Sequence, residues 1–463
     1  MSRHAIALGL CLAAATAHAQ CEPIPAAERD LTTLAGRVAN PDAAAFADAL
    51  RSELGKYDFL DFRGRAATGD AAHFVLRVDT SGGFRIVIRD FRVGLDPLRL
   101  GIGDLGIRVA SAGPGRVNVA FEIDEVLHLC TPGGAVGRIL LGRREFAGLY
   151  DIASGRYQTL RARIDGLGLR DSNDAEALSI SNFSAEARHA ADGSEVVSVA
   201  VGSLVMPGQV LLGSLAVNAA SRPAAAGPMS DRLVEVLGRL GVKTTGLPAE
   251  EVTIEAAAQG LELVRDDRPV VAIERLNSRF RISGMASERG GMEMDLAASG
   301  IAPALGQLPQ QLRPALPRRA RLSLRLGPLD MPAFWEGVDQ AGQGREPDPA
   351  VIARLAGADL AIREIGLSSE QSALAGDGKI SIDPRAALQM LVALDLRISG
   401  FDALARAVGL AGGSPTAAAL LLSLRGLGQP EPPASLLFKI RLDRDGNWTV
   451  NQRSLGPLLD LLR

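Results

Sequence analysis

The sequence is poor in the residues on which most catalytic and metal sites depend. Its 463 residues contain three cysteines and five histidines, and only 4% are aromatic. His73, His128 and His189 are far apart and fit no zinc-binding spacing. No G-x-S-x-G motif is present, so the nucleophile elbow of the α/β-hydrolases is absent as well. We therefore expect no cofactor, no metal and no enzymatic activity.

The chain also lacks a basic excess and a long internal apolar run. Its 50 Lys and Arg residues face 53 Asp and Glu residues, which gives a formal net charge of -3. A protein that neutralises a phosphate backbone needs clustered positive charge, so we expect no nucleic-acid partner. Beyond the N-terminus no apolar stretch reaches the roughly 18 residues of a transmembrane helix. Apolar residues still make up 47% of the chain, which is typical of a folded protein.

The first residues have the pattern of a secretory signal. Arg3 supplies the positive start, an apolar segment follows over residues 5–17, and Ala17-His18-Ala19 fits a cleavage site. We expect residues 1–19 to be a cleavable signal peptide and the protein to reach the periplasm. An uncleaved membrane anchor is the alternative.

Cleavage would leave two cysteines, Cys21 and Cys130. An even pair in an exported protein favours a disulfide between them, and two free thiols are the alternative. Closing so long a loop would stabilise the chain by roughly 4 kcal/mol in the chain-entropy model.

Hydrophobic periodicity divides the chain into helical and β-rich parts. Residues 20–57 read as helical, with Asn40 as N-cap and Pro41 at the first helical position. Residues 58–221 read as a first β-rich lobe, residues 222–250 as a linker and helix capped by Ser230, and residues 251–463 as a second β-rich lobe. Helical insertions in the second lobe are expected near 303–315, 331–340, 348–356, 401–410 and 415–425.

The strands of the second lobe alternate apolar and charged residues. Such alternation predicts a sheet with one apolar and one solvated face. The fold class is therefore mostly β (α+β), with one or more long curved antiparallel sheets and short helices at the ends and edges. The candidate residues of an apolar groove are Phe280, Ile282, Met292, Met294, Leu296, Leu322, Leu324, Leu326, Phe438, Ile440 and Leu442.

Two weak motif matches are better explained by local structure. Residues 101–106 fit G-x-G-x-x-G, but the segment continues as a strand instead of opening a helix, so these glycines are interpreted as turns in a meander. Residues 443–447 hint at a calcium loop, yet Trp448 stands where the pattern needs glycine. We interpret that segment as a hairpin turn at Asp445-Gly446.

Several strand-turn-strand segments resemble those of AsmA-like envelope proteins. They are residues 146–157 and residues 312–317 leading into 322–326. The ending from Leu436 to Val450 is similar to an uncharacterised family of exported bacterial proteins related to that superfamily. The resemblance implies a long curved sheet whose concave apolar face holds acyl chains in lipid traffic between two membranes. The chain departs from it in one respect, because such proteins usually keep an N-terminal anchor whereas this signal looks cleavable.

Two functions are consistent with these patterns. The first is a non-enzymatic periplasmic protein that binds or transfers phospholipid or another envelope lipid along an apolar groove. The second is an envelope assembly or scaffold factor that contacts other envelope proteins, for which strand addition at a sheet edge is a known mechanism. The two are separated by whether the apolar face of the second lobe is open or covered.

Overall fold

The structure, a computed structural model, describes residues 38, 40–54, 73–78, 83–95, 98–131, 134–239, 248–265, 268–303, 316–410 and 425–457. Its strands are β1 (His73–Val78), β2 (Phe84–Leu95), β3 (Leu98–Gly113), β4 (Arg116–Glu122), β5 (Val126–Thr131), β6 (Gly134–Asp151), β7 (Arg156–Arg170), β8 (Glu176–Ile180), β9 (Phe183–His189), β10 (Glu195–Val201), β11 (Leu204–Met206), β12 (Val210–Pro223), β13 (Ala249–Arg265), β14 (Arg268–Ser283), β15 (Arg289–Pro303), β16 (Arg319–Asp330), β17 (Asp359–Ser368), β18 (Ala373–Ile382), β19 (Met390–Ser399), β20 (Gln429–Glu431), β21 (Ser435–Leu442), β22 (Asn447–Val450) and β23 (Arg453–Pro457).

The described residues contain five helices with given bounds: α1 (Pro41–Leu54), α2 (Pro228–Arg239), α3 (Met331–Gly342), α4 (Pro349–Leu355) and α5 (Phe401–Leu410). The protein is thus mostly β with few short helices, and its strands pair antiparallel, which confirms the predicted fold class. The chain divides into two compact units, Met1–Ala216 and Val217–Arg463, and the boundary lies inside β12. Among the described residues, no helix is both long and apolar enough to cross a membrane.

The first unit is an antiparallel meander. At two places in it, two short consecutive strands together take the place of one long strand. β3 pairs with both β4 and β5, and both of these pair with β6. In the same way β7 pairs with both β8 and β9. Sequential strands therefore lie side by side, as short hairpin connections require.

Helix α1 closes one core of the first unit. The Asn40 side chain caps it as predicted, since its Oδ1 accepts a hydrogen bond from the Ala43 amide at 2.9 Å. Phe46 is buried against Tyr150, with the ring centroids 4.9 Å apart in an edge-to-face arrangement. The apolar stripe of this helix thus covers strands β2, β3, β4 and β6.

The second unit is a longer meander. β13 pairs with β14, and each following strand pairs with the next through β19. β21 then lies beside β19, with β20 and β22 pairing to different parts of β21. From β13 to β19 each connection joins adjacent antiparallel strands, whereas β19 and β20 pair with opposite edges of β21 and are not neighbours.

Two details of local structure differ from the sequence-based expectations. Helix α2 begins at Pro228, two residues before the predicted cap Ser230, because the Asp231 amide already bonds to the Gly227 carbonyl at 3.1 Å. The buried Ser230 hydroxyl donates instead to the Ala225 carbonyl. Residues 101–106 lie inside β3 and do not form turns; Gly103 has φ +73° where the register with β2 shifts.

Other expectations are met or lie outside the described residues. Helices α3, α4 and α5 occur where helical insertions were predicted, whereas 304–315 and 411–424 are outside the described residues. Residues 443–447 form the predicted hairpin turn, in which the Asp443 carboxylate accepts from the amides of Asp445 (3.0 Å) and Asn447 (2.9 Å). The carboxylate is thus committed to the turn.

Candidate apolar binding face

The register of the second unit aligns its apolar residues into four rows that cross eight strands. Each row follows the hydrogen-bonding direction, so that one residue of each strand lies opposite its neighbours. Row one is Val252, Ile282, Met292, Leu326, Leu360, Ile380, Val392 and Leu442. Row two is Ile254, Phe280, Met294, Leu324, Ile362, Gly378, Leu394 and Ile440. Row three is Ala256, Ser278, Leu296, Leu322, Ile365, Gly376, Leu396 and Phe438. Row four is Ala258, Leu276, Ala298, Ala320, Leu367, Leu374, Ile398 and Leu436.

We call the surface formed by these four rows the apolar face. Alternate residues of a strand point to the same side, so each strand contributes every second residue to it. Strand β17 keeps its contribution on this side through an irregularity between Ile362 and Ile365, where the register with β18 shifts. The two residues in between, Arg363 and Glu364, are exposed. A bulge of this kind restores the alternation that an extra residue would otherwise invert.

Part of the apolar face is exposed. Ile254 is 37% exposed, Leu296 38% and Leu367 41%, which marks the face as accessible on β13, β15 and β17. Phe280, Met294, Leu322 and Leu324 are half-buried. Contiguous exposed apolar surface is characteristic of binding sites, whereas single exposed apolar residues are common on any protein surface.

Helix α3 covers one corner of the face. Met292 and Leu326, both in row one, pack against a cluster built from Leu329, Met331 and Trp335. The Trp335 indole is fixed by a hydrogen bond from its Nε1 to the Met285 carbonyl at 2.8 Å. Row one is therefore partly a hydrophobic core at β15 and β16.

Helix α5 covers a second corner. Phe401 stacks on Phe438 with centroids 6.1 Å apart, and Leu396, Ile398, Leu436 and Ile440 pack around them. Phe438 and Leu442 are buried, at 6% and 3% exposure. These two groove candidates therefore add core packing and almost no accessible surface. Met292 and Leu326 pack against the α3 cluster and Ile440 against the α5 cluster, whereas the other candidates on β14, β15 and β16 surround the exposed part of the face.

The opposite face of the same strands is covered with ion pairs. Examples are Arg281–Glu251 at 2.9 Å, Lys379–Asp359 at 2.6 Å and Arg441–Asp395 at 2.7 Å. The hydrogen bond from Arg281 lowers the pKa of Glu251, partial burial opposes this, and the positive charge of Arg281 adds to it. This face is therefore solvated, and the apolar face is the candidate binding surface of this sheet.

The sequence reasoning identified only part of the apolar face. It named residues of β14, β15, β16 and β21 but none of β13, β17, β18 or β19, although Leu360, Ile380 and Leu394 occupy equivalent row positions. Their alternation was available as a signal in β19, where Val392, Leu394 and Leu396 are spaced by two. In β17 and β18 the bulge and two glycines obscure it.

The remaining candidates carry no site. Cys130 is buried at the end of β5, while Cys21 lies outside the described residues, so their disulfide stays a prediction. Within the described ranges, no group of three or more His, Cys, Asp or Glu side chains is arranged to hold a metal ion. A polar cavity of about 450 Å³ lies beside the start of α3, but its Asp330 and Arg354 pair with each other at 2.7 Å.

No protein-family model, curated protein or solved structure matches this chain.

Proposed function

We propose that the second unit binds the acyl chains of an envelope lipid on its apolar face, and that the protein acts without catalysis in lipid binding or transfer in the periplasm. The observation that carries this proposal is the exposure of Ile254, Leu296 and Leu367 in aligned rows of apolar neighbours. A sheet face that served only as core would be covered along its length. Among the described residues, helices cover the apolar face at two corners, where α3 and α5 lie.

The energetics favour a hydrocarbon occupant. Burying a methylene group contributes about 0.8 kcal/mol, so a chain of ordinary length gains enough from part of the face to bind. Neighbouring strands lie about 4.8 Å apart, so the part of the face from β13 to β17, on which the exposed residues lie, spans roughly 19 Å. The hydrocarbon core of a bilayer is about 30 Å thick and contains two layers of acyl chains, so one chain is about 15 Å long and fits within that span.

The test is lipid recovery from the intact protein. We expect the full chain, purified from cells and extracted with organic solvent, to release acyl lipid detectable by mass spectrometry. The variant Leu296→Glu with Leu367→Glu places two charges on exposed positions of the face, and most of the bound lipid should be lost. Both wild-type side chains are already about two-fifths exposed, so their replacement should leave folding intact.

A matched control carries the same two charges on the opposite face. Ala257→Glu with Ala375→Glu changes exposed residues of β13 and β18 whose side chains point away from the rows. This variant should retain lipid. Lipid-free wild-type protein would overturn the proposal, and a stoichiometric protein partner in its place would favour the assembly-factor function.

A further inference from the structure

One polar side chain interrupts the apolar face. Ser278 lies in row three on β14, between Ala256 of β13 and Leu296 of β15. Every other position of the four described rows holds an apolar residue or glycine. A hydroxyl among so many aliphatic side chains needs a reason, because alternation alone would place an apolar residue there.

Local structure does not supply that reason. Serine is common where its hydroxyl bonds to nearby backbone at turns and caps. Ser278 lies in the middle of β14, at a position where the register with both neighbouring strands is regular. It is half-buried, and no described residue forms a side-chain hydrogen bond with its hydroxyl. Its cross-strand neighbours, Ala256 and Leu296, offer none.

The side chains beside Ser278 are small. Ala256 on β13 and Ala298 on β15 are half-buried alanines, which project little from the sheet and allow a ligand to approach it closely. In the empty protein, water can bond to the half-buried hydroxyl. Once a chain covers it, the hydroxyl loses that water and becomes an unsatisfied polar group unless the ligand supplies a partner.

We infer that the Ser278 hydroxyl is a specificity-determining group that donates a hydrogen bond to the ester carbonyl oxygen of the bound acyl lipid. This inference rests on the proposed function. An ester is favoured over a free carboxylate because the four described rows contain no lysine, arginine or histidine to balance a negative charge. Burying an unpaired carboxylate is far more costly than burying a neutral carbonyl.

The experiment compares two fluorescent probes in the full-length protein. Methyl parinarate carries an ester, whereas diphenylhexatriene has no polar atom, and both brighten in an apolar site. We expect Ser278→Ala to lower the affinity for methyl parinarate about tenfold, equivalent to about 1.4 kcal/mol. The affinity for diphenylhexatriene should stay the same or increase. Ser278→Thr keeps the hydroxyl and should preserve the preference for the ester. Parinaric acid, as a third probe, should bind less tightly than its methyl ester.

The outcomes separate this inference from the proposed function. If the wild-type protein binds neither neutral probe, the apolar face is not a lipid site and both fail. If it binds both probes but Ser278→Ala affects them equally, or not at all, the hydroxyl has a structural role and only this inference fails. Tighter binding of parinaric acid than of its ester would overturn the choice of a neutral ester. Ala298→Ser added to Ser278→Ala places a hydroxyl elsewhere on the face and should not restore the ester preference.

Discussion

At the scale of single residues, Asn451 combines backbone strain with a complete set of hydrogen bonds. Its φ is +48°, in the left-handed region that glycine usually occupies. Its Nδ2 donates to the carbonyls of Leu427 and Leu437, both at 2.7 Å, and its Oδ1 accepts from the Lys439 amide at 2.9 Å. One amide therefore ties the turn after β22 to β21 and to the segment before β20.

Replacing Asn451 by alanine should destabilise the second unit. We expect Asn451→Ala to lower the free energy of unfolding by about 2–3 kcal/mol, because the carbonyls of Leu427 and Leu437 and the amide of Lys439 lose their hydrogen-bond partner. Urea unfolding followed by circular dichroism measures this. Asn451→Gly relieves the left-handed strain but also loses the bonds, so it should recover only a small part of the loss. Full recovery by glycine would contradict the role of the hydrogen bonds.

A second residue-scale prediction concerns Glu186 in the first unit. Arg188 donates to it at 2.9 and 3.0 Å and Arg161 at 2.9 Å, and these hydrogen bonds lower its pKa from 4.5 to about 2. A carboxylate with a depressed pKa stabilises the folded state fully above its unfolded pKa. That contribution is lost as the pH falls from 4.5 towards 2.

Thermal unfolding at several pH values tests this linkage. Glu186→Gln should lower the Tm at pH 7 and should flatten the decline of the Tm between pH 4.5 and 2. Glu176→Gln, at an exposed position of β8, serves as the comparison and should change the profile little. Parallel pH profiles for the wild-type protein and Glu186→Gln would show that the arginine pair does not stabilise the fold.

At the scale of elements, the N-cap residue Asn40 determines where α1 begins and therefore which of its residues pack against the sheet. The Asn40 cap positions the helix so that Ala43, Phe46 and Ala47 are buried. By contrast, α2 begins at a proline rather than at the predicted serine. A capping residue predicts the start of a helix reliably when its side chain has no other hydrogen-bond partner. The Ser230 hydroxyl has such a partner in the Ala225 carbonyl.

Removing the cap of α1 should weaken this element measurably. We expect Asn40→Ala to cost about 1 kcal/mol, the usual contribution of an N-cap side chain. Asn40→Asp keeps an acceptor at the same position and should cost less. Urea unfolding monitored by near-ultraviolet signals of Tyr150, which packs on Phe46, reports on the same region. Equal losses for both variants would argue against the capping hydrogen bond.

At the scale of the whole molecule, the exposed part of the apolar face should make the lipid-free protein prone to self-association. Exposed apolar surface of this size favours association between copies when no ligand covers it. We expect delipidated protein to associate with increasing concentration in sedimentation experiments, and added acyl lipid to reverse this. Leu296→Glu with Leu367→Glu should remain monomeric without lipid. A monomer at every concentration in the delipidated wild-type protein would contradict an accessible face.

The sequence by itself determined that this chain builds antiparallel strands, that these strands have one apolar side, and where α1, α3, α4 and α5 occur. These features follow from periods of two and of 3.6 residues, which are local properties. Only the tertiary structure decided which apolar residues align in rows, that α3 and α5 cover two corners, and that Phe438 and Leu442 are core. Register and coverage depend on contacts between distant segments, and a local pattern does not encode those contacts.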